Sequence, residues 1–439
     1  MGVSTVTAAR IYKGQSKYNN SGEESVLSWE RFPYVALSKT YGLDTQTSDS
    51  ANSATAYLCG VKANMGTLGV DSTVKAKQCH NDSSAYVDSI MQWAQDAGKW
   101  TGIVTTTAVT DATPAGSYAH SGYRRWQYDV PKGCNASDIA QQLILNSPGK
   151  NMRVILGAGR KVFFNSTEYD EECKKGARID GLNLINVWQA MKNNTNASYV
   201  WNRSQLLAVE TNSTDYLLGL FDNEQMPYWL NRSEPNSTKP NLTEMVTVAL
   251  KILSKAPEGF VLLVEGGRID HAHHANRAKL ALQETLEFDE AVNKTVRTLP
   301  ENETLYVVTA DHSHTMSIAG HPSRGTNILG LAGNTTLRSE PKSTYTVLSY
   351  AVGPGYRERE NYTEEETSGD DFIQQATYPL WSATHGGEDV AVYAKGPWAH
   401  LFDGVNDQTY IPYVMAYASC IGQFNGSKCH HFNVKTRLF

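Results

Sequence analysis

The sequence predicts an α/β protein built on a doubly wound, mainly parallel central sheet with helices on both faces. Short apolar runs rich in β-branched residues recur along the chain, each followed by a polar or Gly-rich turn, which is typical of strands buried on both faces. Helical patterns separate these runs, and strands that alternate with helices usually form a parallel sheet. The predicted strands lie at residues 102–104, 154–156, 260–264, 305–308, 346–348 and 390–393.

The helices between these strands are recognised by the spacing of their apolar residues. Residues 89–97 and 245–253 both show the 3.6-residue period of a helix with one buried face. In doubly wound sheets the ligand lies beyond the carboxyl ends of the strands. A third helix carries an apolar face made by Ala278, Ala281, Leu282 and Leu286.

One stretch of the chain departs from this alternation. From about residue 320 to residue 381 the sequence is rich in Gly, Ser, Thr, Asn and Glu, with an acidic cluster at residues 364–366. Such a composition is typical of surface loops. We interpret 320–381 as a surface insertion between two core strands.

The composition restricts the function. The chain has 439 residues with 39 Lys and Arg against 45 Asp and Glu, which gives a net charge of −6. A general nucleic-acid-binding protein would need a basic surface, so this class is disfavoured. The overall field repels anions, and an anionic substrate would therefore need a local source of positive charge.

The features of the chain that bear on its compartment point in two directions. The first ten residues lack the apolar region of a secretory signal, and no run of 18 apolar residues could span a membrane. However, the chain contains 16 Asn-x-Ser/Thr sequons, an excess that predicts a glycosylated protein of the secretory route. We therefore predict an extracellular or cell-surface location, with a signal peptide upstream. The sequons are at Asn19, Asn81, Asn135, Asn165, Asn193, Asn196, Asn202, Asn212, Asn231, Asn236, Asn241, Asn293, Asn302, Asn334, Asn361 and Asn425.

Three short clusters of His and carboxylate residues predict a metal site. They lie at residues 265–274, 311–314 and 384–389, next to predicted core strands, and contain six of the twelve histidines. Imidazole and carboxylate ligands without Cys suit zinc in a catalytic site. Asp270 and His274 are four residues apart, which places both side chains on one side of a helical turn.

Ser50 is a candidate nucleophile. It precedes a run of small residues that favours a helix, so it is expected near a helix N-terminus, where free N–H groups attract anions. A plain helix-capping role is the alternative. No Gly-x-Ser-x-Gly motif surrounds Ser50, which disfavours a lipase-type triad. A serine beside zinc needs no histidine base, because the metal lowers the pKa of the hydroxyl.

Four motifs resemble those of animal-type alkaline phosphatases: residues 49–60 (DSANSATAYLCG), 264–274 (VEGGRIDHAHH), 309–314 (TADHSH) and 384–393 (THGGEDVAVY). The similarity continues along essentially the whole chain. It implies a single α/β domain over residues 1–439, in which the 320–381 insertion resembles the crown at the family's dimer interface. It also implies a homodimeric enzyme that hydrolyses small phosphate monoesters.

The resemblance implies two zinc sites. Asp270, His274 and His385 match the ligands of the first zinc, which activates the attacking water. Asp311 and His312 match ligands of the second zinc, which holds the serine alkoxide. Two zinc ions in this arrangement would stabilise both oxygens of an in-line displacement at phosphorus.

The resemblance also implies the residues that handle phosphate. Ser50 matches the serine that becomes phosphorylated. Arg124 matches the arginine that clamps two phosphate oxygens, in agreement with the planar fork that Arg offers to phosphate. Asp49 would orient Arg124, and His271 would contact phosphate through water.

A magnesium site is implied by Glu265 and Thr113. Asp111 lies two residues before Thr113, at a position where animal enzymes usually carry His and the common bacterial enzyme carries Asp. Because His271 is retained, the predicted magnesium shell is a mixture of the two types.

The printed chain departs from the family at its start. The family's strand that ends in Asp-Gly directly before Met-Gly-Val-Ser is not in the sequence, and the Asp of that strand bridges the second zinc and the magnesium. We therefore expect a fragment, or a gene model begun at an internal Met, with severely reduced or no phosphatase activity as printed. Metal content and phosphomonoesterase rate with and without the restored segment would test this expectation.

A second departure concerns calcium, which animal enzymes of the family often hold. Glu168, Phe221 and Asp222 roughly match its ligands, but Lys239 lies where an Asp is expected. An ammonium group there would pair with the carboxylates and replace the cation, so we predict no calcium at this place.

Six cysteines allow fifteen disulfide connectivities. The resemblance implies bridges Cys79–Cys134 and Cys420–Cys429, with Cys59 and Cys173 free. It also implies that membrane attachment would depend on a lipid anchor, whose signal the sequence does not contain.

The alternatives to an alkaline phosphatase are a phosphodiesterase or sulfatase of the same superfamily, and an inactive glycoprotein that lacks the N-terminal metal ligand. Relative rates on p-nitrophenyl phosphate and its diester distinguish a phosphomonoesterase from the first of these alternatives.

Overall fold

The structure is a computed structural model that describes residues 1–332, 344–358, 361–426 and 437–439. Its centre is a ten-stranded sheet with the order β14-β1-β13-β7-β15-β6-β2-β3-β5-β4. The strands of this sheet are β1 (Tyr34–Lys39), β2 (Trp100–Ala108), β3 (Val154–Ala158), β4 (Ala197–Val200), β5 (Tyr216–Leu220), β6 (Phe260–Glu265), β7 (Thr304–Val308), β13 (Val390–Lys395), β14 (Val405–Asp407) and β15 (Arg437–Leu438).

Most neighbouring strands of the central sheet run parallel. Within the described part of the chain, only β13 pairs in the antiparallel sense, with β1 on one side and β7 on the other. The other seven pairings are parallel. The predicted fold class is therefore confirmed.

Helices cover both faces of this sheet. Consecutive residues of β2 point to opposite faces, so that Val104 packs into one hydrophobic cluster and Ile103 into the other. The three helices predicted from apolar spacing are confirmed as α3, α9 and α11. The helices are α1 (Val3–Tyr18), α2 (Ser50–Cys59), α3 (Ile90–Asp96), α4 (Ala112–Ala115), α5 (Ile139–Leu145), α6 (Leu184–Met191), α7 (Arg203–Leu207), α8 (Trp229–Arg232), α9 (Leu242–Leu253), α10 (Arg268–His274), α11 (Ala278–Thr298), α12 (Glu364–Thr367) and α13 (Tyr410–Ser419).

The segment that follows β7 forms small sheets of its own. Strands β9 (Met316–Ile318), β10 (Leu348–Gly353) and β11 (Ala376–Pro379) pair in the order β11-β10-β9, and β8 (Ser313–His314) pairs with β12 (His385–Gly386). We call residues 316–379 the insertion segment.

The prediction of a core strand at residues 346–348 was wrong. The strand begins at Leu348 and belongs to the three-stranded sheet of the insertion segment. Thr346 is fully buried, but its hydroxyl donates to the carbonyl of Leu348 at 2.6 Å, and its backbone N–H donates to the side chain of Gln375. The backbone around Thr346 pairs with residues 330–332 of the same segment and not with a strand of the central sheet, and the apolar pattern alone does not reveal this pairing.

One predicted disulfide is confirmed. Cys79 and Cys134 are bonded, with their Cα atoms 5.6 Å apart. Cys59 is a buried free thiol and Cys173 an exposed one, as predicted. The predicted Cys420–Cys429 bridge includes Cys429, which lies outside the described residues. Within the described ranges, no helix combines the length and the apolar character needed to cross a membrane.

Candidate active site

The predicted site residues meet at the carboxyl ends of the central strands. Glu265 is the last residue of β6, Asp311 follows β7 after two residues, and Ser50 opens α2. A cavity of about 190 Å³ lies among them. The residues predicted to act that line it are Ser50, Thr113, Arg124, Glu265, Asp270, His271 and Asp311.

Asp270 lies at the centre of a cluster of histidine side chains, which we call the imidazole group and which consists of His274, His312, His314 and His385. Its carboxylate oxygens are 3.3 Å from His274 Nε2, 3.5 Å from His385 Nε2 and 2.5 Å from His314 Nε2. One ligand atom from each of Asp270, His312, His314 and His385 lies within 4.8 Å of the others, which is compact enough to hold a metal ion. Three separate sequence clusters therefore meet at one point, as the sequence predicted.

The backbone fixes which nitrogen each imidazole presents. Nδ1 of His274 lies 2.6 Å from the carbonyl of Ala383, and Nδ1 of His385 lies 2.8 Å from the carbonyl of Ser48. A carbonyl can only accept, so each Nδ1 carries the proton and each Nε2 is the metal-binding nitrogen. The two Nε2 atoms lie 3.2 Å apart. Two lone pairs facing each other at this distance need a proton or a metal ion between them, so these residues fit a metal.

The charges in the group are strongly perturbed. Burial would raise the pKa of Asp270, but the imidazoles of His314 and His274 outweigh burial and hold that pKa well below its usual range. Burial lowers the pKa of His314 to about 3, despite the attraction of Asp270. His314 is therefore neutral and Asp270 ionised near neutral pH, the protonation states of metal ligands.

The serine lies at the end of a well-formed helix. Asp49 caps α2 by accepting from the N–H of Asn52, and Ser50 is the first helical residue, as predicted. Ser50 Oγ is 3.1 Å from His312 Nε2, and the same nitrogen is 3.0 Å from a carboxylate oxygen of Asp311. The hydroxyl is thus in contact with the residues assigned to the second zinc.

Arg124 faces the same cavity, held between two carboxylates. Its Nη1 donates to Asp49 at 3.2 Å, and its Nη2 donates to Asp111 at 3.1 Å. Burial lowers the pKa of Arg124, but these two carboxylates outweigh it, so the guanidinium stays charged. Asp49 therefore orients Arg124, as the resemblance implied, and Asp111 shares this role.

The candidate magnesium residues lie deeper. Glu265 accepts hydrogen bonds from the hydroxyls of Thr105, Thr107 and Thr113. Burial raises its pKa to about 7, so this carboxyl gains from a neighbouring cation. Asp111, the nearby acidic residue, also accepts from Gln225 at 3.0 Å.

His271 does not contact the imidazole group. Its Nδ1 lies 2.6 Å from Arg268 Nη1, and its Nε2 lies 3.9 Å from an oxygen of Asp111. Burial lowers the pKa of His271, so the ring is neutral. His271 is therefore placed between the imidazole group and the candidate magnesium residues.

Sequence reasoning assigned no role to three residues of the site. His314 belongs to a quoted motif and lies two residues after His312, which was a usable signal. Gln225 and Arg268 contact Asp111 and His271 respectively. Gln225 gave no signal, because it is distant in sequence and in no motif.

An ammonium group occupies the place where calcium was in question. Lys239 Nζ donates to the carbonyl of Phe221 at 2.7 Å and lies 2.5 Å from Glu172 and 3.3 Å from Asp222. Glu168 accepts instead from Asn183. A divalent cation at these oxygens would meet the ammonium directly, so the residues do not fit calcium.

Comparison with known proteins decides the family. A family model described as "Alkaline phosphatase" matches residues 1–421. The chain belongs to the alkaline phosphatase family. It is 50% identical to the tissue-nonspecific isozyme of alkaline phosphatase from Rattus norvegicus, over 96% of this chain and 82% of that protein. It is 45% identical to the membrane-bound alkaline phosphatase of Bombyx mori, over 96% of this chain and 78% of that protein.

Solved structures agree on the fold of this alkaline phosphatase family member. A mutant of the alkaline phosphatase from the Antarctic bacterium TAB5, with Asp in place of a His and Mg bound in its M3 site, matches with a TM-score of 0.63 at 21% identity. The match covers 96% of both chains. Alkaline phosphatases are phosphoric monoester hydrolases, so the family supports hydrolysis of phosphate monoesters over the diesterase, sulfatase and inactive alternatives.

Proposed function

We propose that this alkaline phosphatase hydrolyses phosphate monoesters through a phosphoserine at Ser50, beside two zinc ions and one magnesium ion. One observation carries the proposal: Ser50 Oγ lies 3.1 Å from His312 Nε2 at the N-terminus of α2, next to the cavity that Arg124 enters. A nucleophile, an anion-binding helix end and a phosphate-binding guanidinium thus converge on one space.

The charges around the cavity require bound cations. Four carboxylates line it, those of Asp111, Glu265, Asp270 and Asp311, against the single guanidinium of Arg124. This surface would repel a phosphate dianion. We assign Asp270, His274 and His385 to one zinc, Asp311 and His312 to the other, and Glu265 and Thr113 to magnesium. When bound, these ions would activate the serine hydroxyl and neutralise charge on phosphate.

The chain's own residues bind and orient the ester. The fork of Arg124 holds two phosphate oxygens, and the carboxylates of Asp49 and Asp111 fix the plane of that fork. Ser50 Oγ loses its proton and attacks phosphorus, the bond between phosphorus and the ester oxygen breaks, and the leaving oxygen takes up a proton to depart as the alcohol. Water then attacks the phosphoserine from the side opposite Ser50, which releases inorganic phosphate and restores the hydroxyl. His271 would contact phosphate through water.

The decisive test compares three substrates. The protein with the N-terminal segment restored, purified with zinc and magnesium, is expected to hydrolyse p-nitrophenyl phosphate much faster than bis-p-nitrophenyl phosphate or p-nitrophenyl sulfate. Metal analysis should find two zinc and one magnesium per chain, and chelation should abolish the rate. Preference for the diester or the sulfate would contradict the proposal, as would metal-independent hydrolysis.

Replacement of Arg124 by Ala should weaken phosphate binding. The bidentate charge-assisted contact is lost, so we expect kcat/KM for p-nitrophenyl phosphate to fall by about 10- to 100-fold, with weaker inhibition by inorganic phosphate. Arg124→Lys should recover only part of this loss, because an ammonium offers no planar fork. The adjacent Arg125 is exposed, and Arg125→Ala is the matched control. Equal effects of the two Ala variants would contradict the assignment.

We also propose that this protein holds no calcium at Lys239. Its side chain is 11% exposed, so Lys239→Met leaves poorly solvated carboxylates without their partner. We expect a loss of about 1–3 kcal/mol in unfolding free energy, partly recovered by millimolar calcium. The wild-type melting temperature should not respond to calcium through this cluster.

The control for Lys239 is Lys251→Met, which removes an exposed ammonium from α9. The difference in calcium-induced melting shift between the two variants isolates the cluster from any other calcium site. Ordered calcium beside Asp222 in the wild type would refute the proposal.

We propose an extracellular or cell-surface location, a glycosylated surface and a homodimer. None of the fifteen sequon asparagines in the described part of the chain is buried, so glycans can be accommodated. We retain residues 1–439 as one domain with the crown-like insertion at 320–381. The Bombyx mori relative is named membrane-bound, and we propose that membrane attachment of this protein would use a lipid anchor. Glycosidase digestion and light scattering of the secreted protein test these points.

A further inference from the structure

Helix α10, which carries Asp270 and His274, is only seven residues long and is held by the insertion segment. Its residue His273 is completely buried. His273 Nδ1 lies 2.7 Å from the hydroxyl of Tyr350, which is in β10 of the insertion segment. His273 Nε2 lies 3.1 Å from the hydroxyl of Thr5, in α1. Both ring nitrogens are therefore occupied by groups from other elements.

The ring of His273 also supports the imidazole group. It stacks on His314, with centroids 4.9 Å apart and an interplanar angle of 29°. His314 in turn contacts Asp270 at 2.5 Å. A continuous series of contacts thus leads from Tyr350 through His273 and His314 to Asp270.

The end of α10 is held by the same segment. Asn276 is completely buried in a left-handed conformation, with φ of 52°. Its side-chain oxygen accepts from the N–H of Gly355 at 3.0 Å, and its backbone carbonyl accepts from the N–H of Gln374 at 2.8 Å. A side chain at Gly353 would collide with Asn276, because an added Cβ would lie 2.0 Å from its oxygen. The fit is therefore close at two separate points.

We propose that Tyr350 is a positioning residue, which acts through His273 to hold α10 in the geometry that binds zinc. The insertion segment would then be part of the metal site's support and not only a surface cover. This inference rests on the proposed function, because it takes Asp270 and His274 as zinc ligands. Mutation of a residue that orients a metal ligand, without itself binding the metal, typically lowers metal affinity by about 10- to 100-fold.

The test is Tyr350→Phe, which removes one oxygen and keeps the ring. We expect zinc release to a chromogenic chelator to be at least several-fold faster than in the wild type. In the metal-free protein we expect faster hydrogen exchange of the α10 amides. Activity lost on dilution should return with added zinc. Tyr378→Phe, which changes an exposed tyrosine of the same small sheet, is the control and should match the wild type.

Three results would overturn the proposal. The first is a zinc release rate of Tyr350→Phe equal to that of the wild type, and the second is a melting temperature that falls equally with and without metal while the release rate is unchanged. The third is a release rate for Tyr378→Phe that increases as much as that for Tyr350→Phe. In a His273→Phe background, Tyr350→Phe should have no further effect, and an additive effect would count against action through His273. If the wild type binds no zinc, the proposed function fails, whereas hydrogen exchange in the metal-free protein still tests whether Tyr350 holds α10.

Discussion

Replacement of Ser50 by Ala should abolish turnover while leaving the metal site and phosphate binding intact. The change removes the only protein atom that forms a bond to phosphorus in the proposed reaction, so we expect kcat to fall by about 10³-fold or more. Zinc content should not change, because the hydroxyl contacts His312 without being needed to orient its ring. His312 Nδ1 has its own contact with the carbonyl of Ser313 at 3.1 Å.

The covalent intermediate gives this prediction a second measurement. Radiolabelled phosphate trapped at low pH should label the wild type at one peptide containing Ser50, and should not label Ser50→Ala. Ser53→Ala is the matched control, since Ser53 lies one turn further along α2 and its hydroxyl donates to the carbonyl of Asp49. Full activity of Ser50→Ala, or labelling at another residue, would contradict the role of Ser50.

The parts of this site that sequence reasoning predicted are those set by local rules. The position of Ser50 at the start of α2 follows from the small residues after it, although the residue that caps the helix is Asp49 and not Ser50. The juxtaposition of Asp270 and His274 follows from the helical period. The meeting of the first two clusters follows from the topology of parallel sheets, whose carboxyl ends share one edge. The third cluster precedes β13 and reaches the same edge because β13 runs antiparallel to β7. Each of these rules needs only a few neighbouring residues or the order of the strands.

The parts that were missed depend on contacts between distant segments. Residues 346–348 resemble a core strand in sequence, but the backbone N–H of Thr346 donates to the side chain of Gln375. No local sequence pattern predicts this contact between distant residues. His314 was visible in its motif, yet its contact with Asp270 depends on how β7 and α10 approach each other. The support from Tyr350 and Thr5 joins three elements that are distant in sequence, since Tyr350 is 77 residues and Thr5 is 268 residues from His273.

The chain's net negative charge has a different consequence at the site than over the molecule as a whole. Carboxylates that would repel phosphate line the cavity, and they are the groups assigned as metal ligands. Burial raises the pKa of Glu265 to about 7, which means that a neighbouring cation would favour its charged form. Bound cations would reverse both effects, so the same acidic residues would create affinity for an anion once they are loaded.

Replacement of Asp270 by Asn should have the second large effect, because this carboxylate is shared by three imidazoles. An amide has no negative charge, and its NH₂ group cannot accept from His314 or bind zinc. Outer-shell partners of metal ligands are worth about 10- to 100-fold in affinity, so loss of a direct ligand should cost at least the upper figure. We expect less than one zinc retained at this site after dialysis, with a matching loss of kcat.

The metal-free protein provides a readout of Asp270 that is independent of catalysis. Burial lowers the pKa of His385, but hydrogen bonding and attraction to Asp270 outweigh burial and raise it above the usual value. In Asp270→Asn, burial is opposed only by the weaker contacts with the Ser48 carbonyl and Asp311. The pKa of His385 measured by NMR should therefore fall, so that its imidazolium loses its proton at a lower pH. Asp403→Asn removes an exposed carboxylate and is the control. An unchanged His385 pKa together with full zinc content would show that Asp270 is not the centre of the metal group.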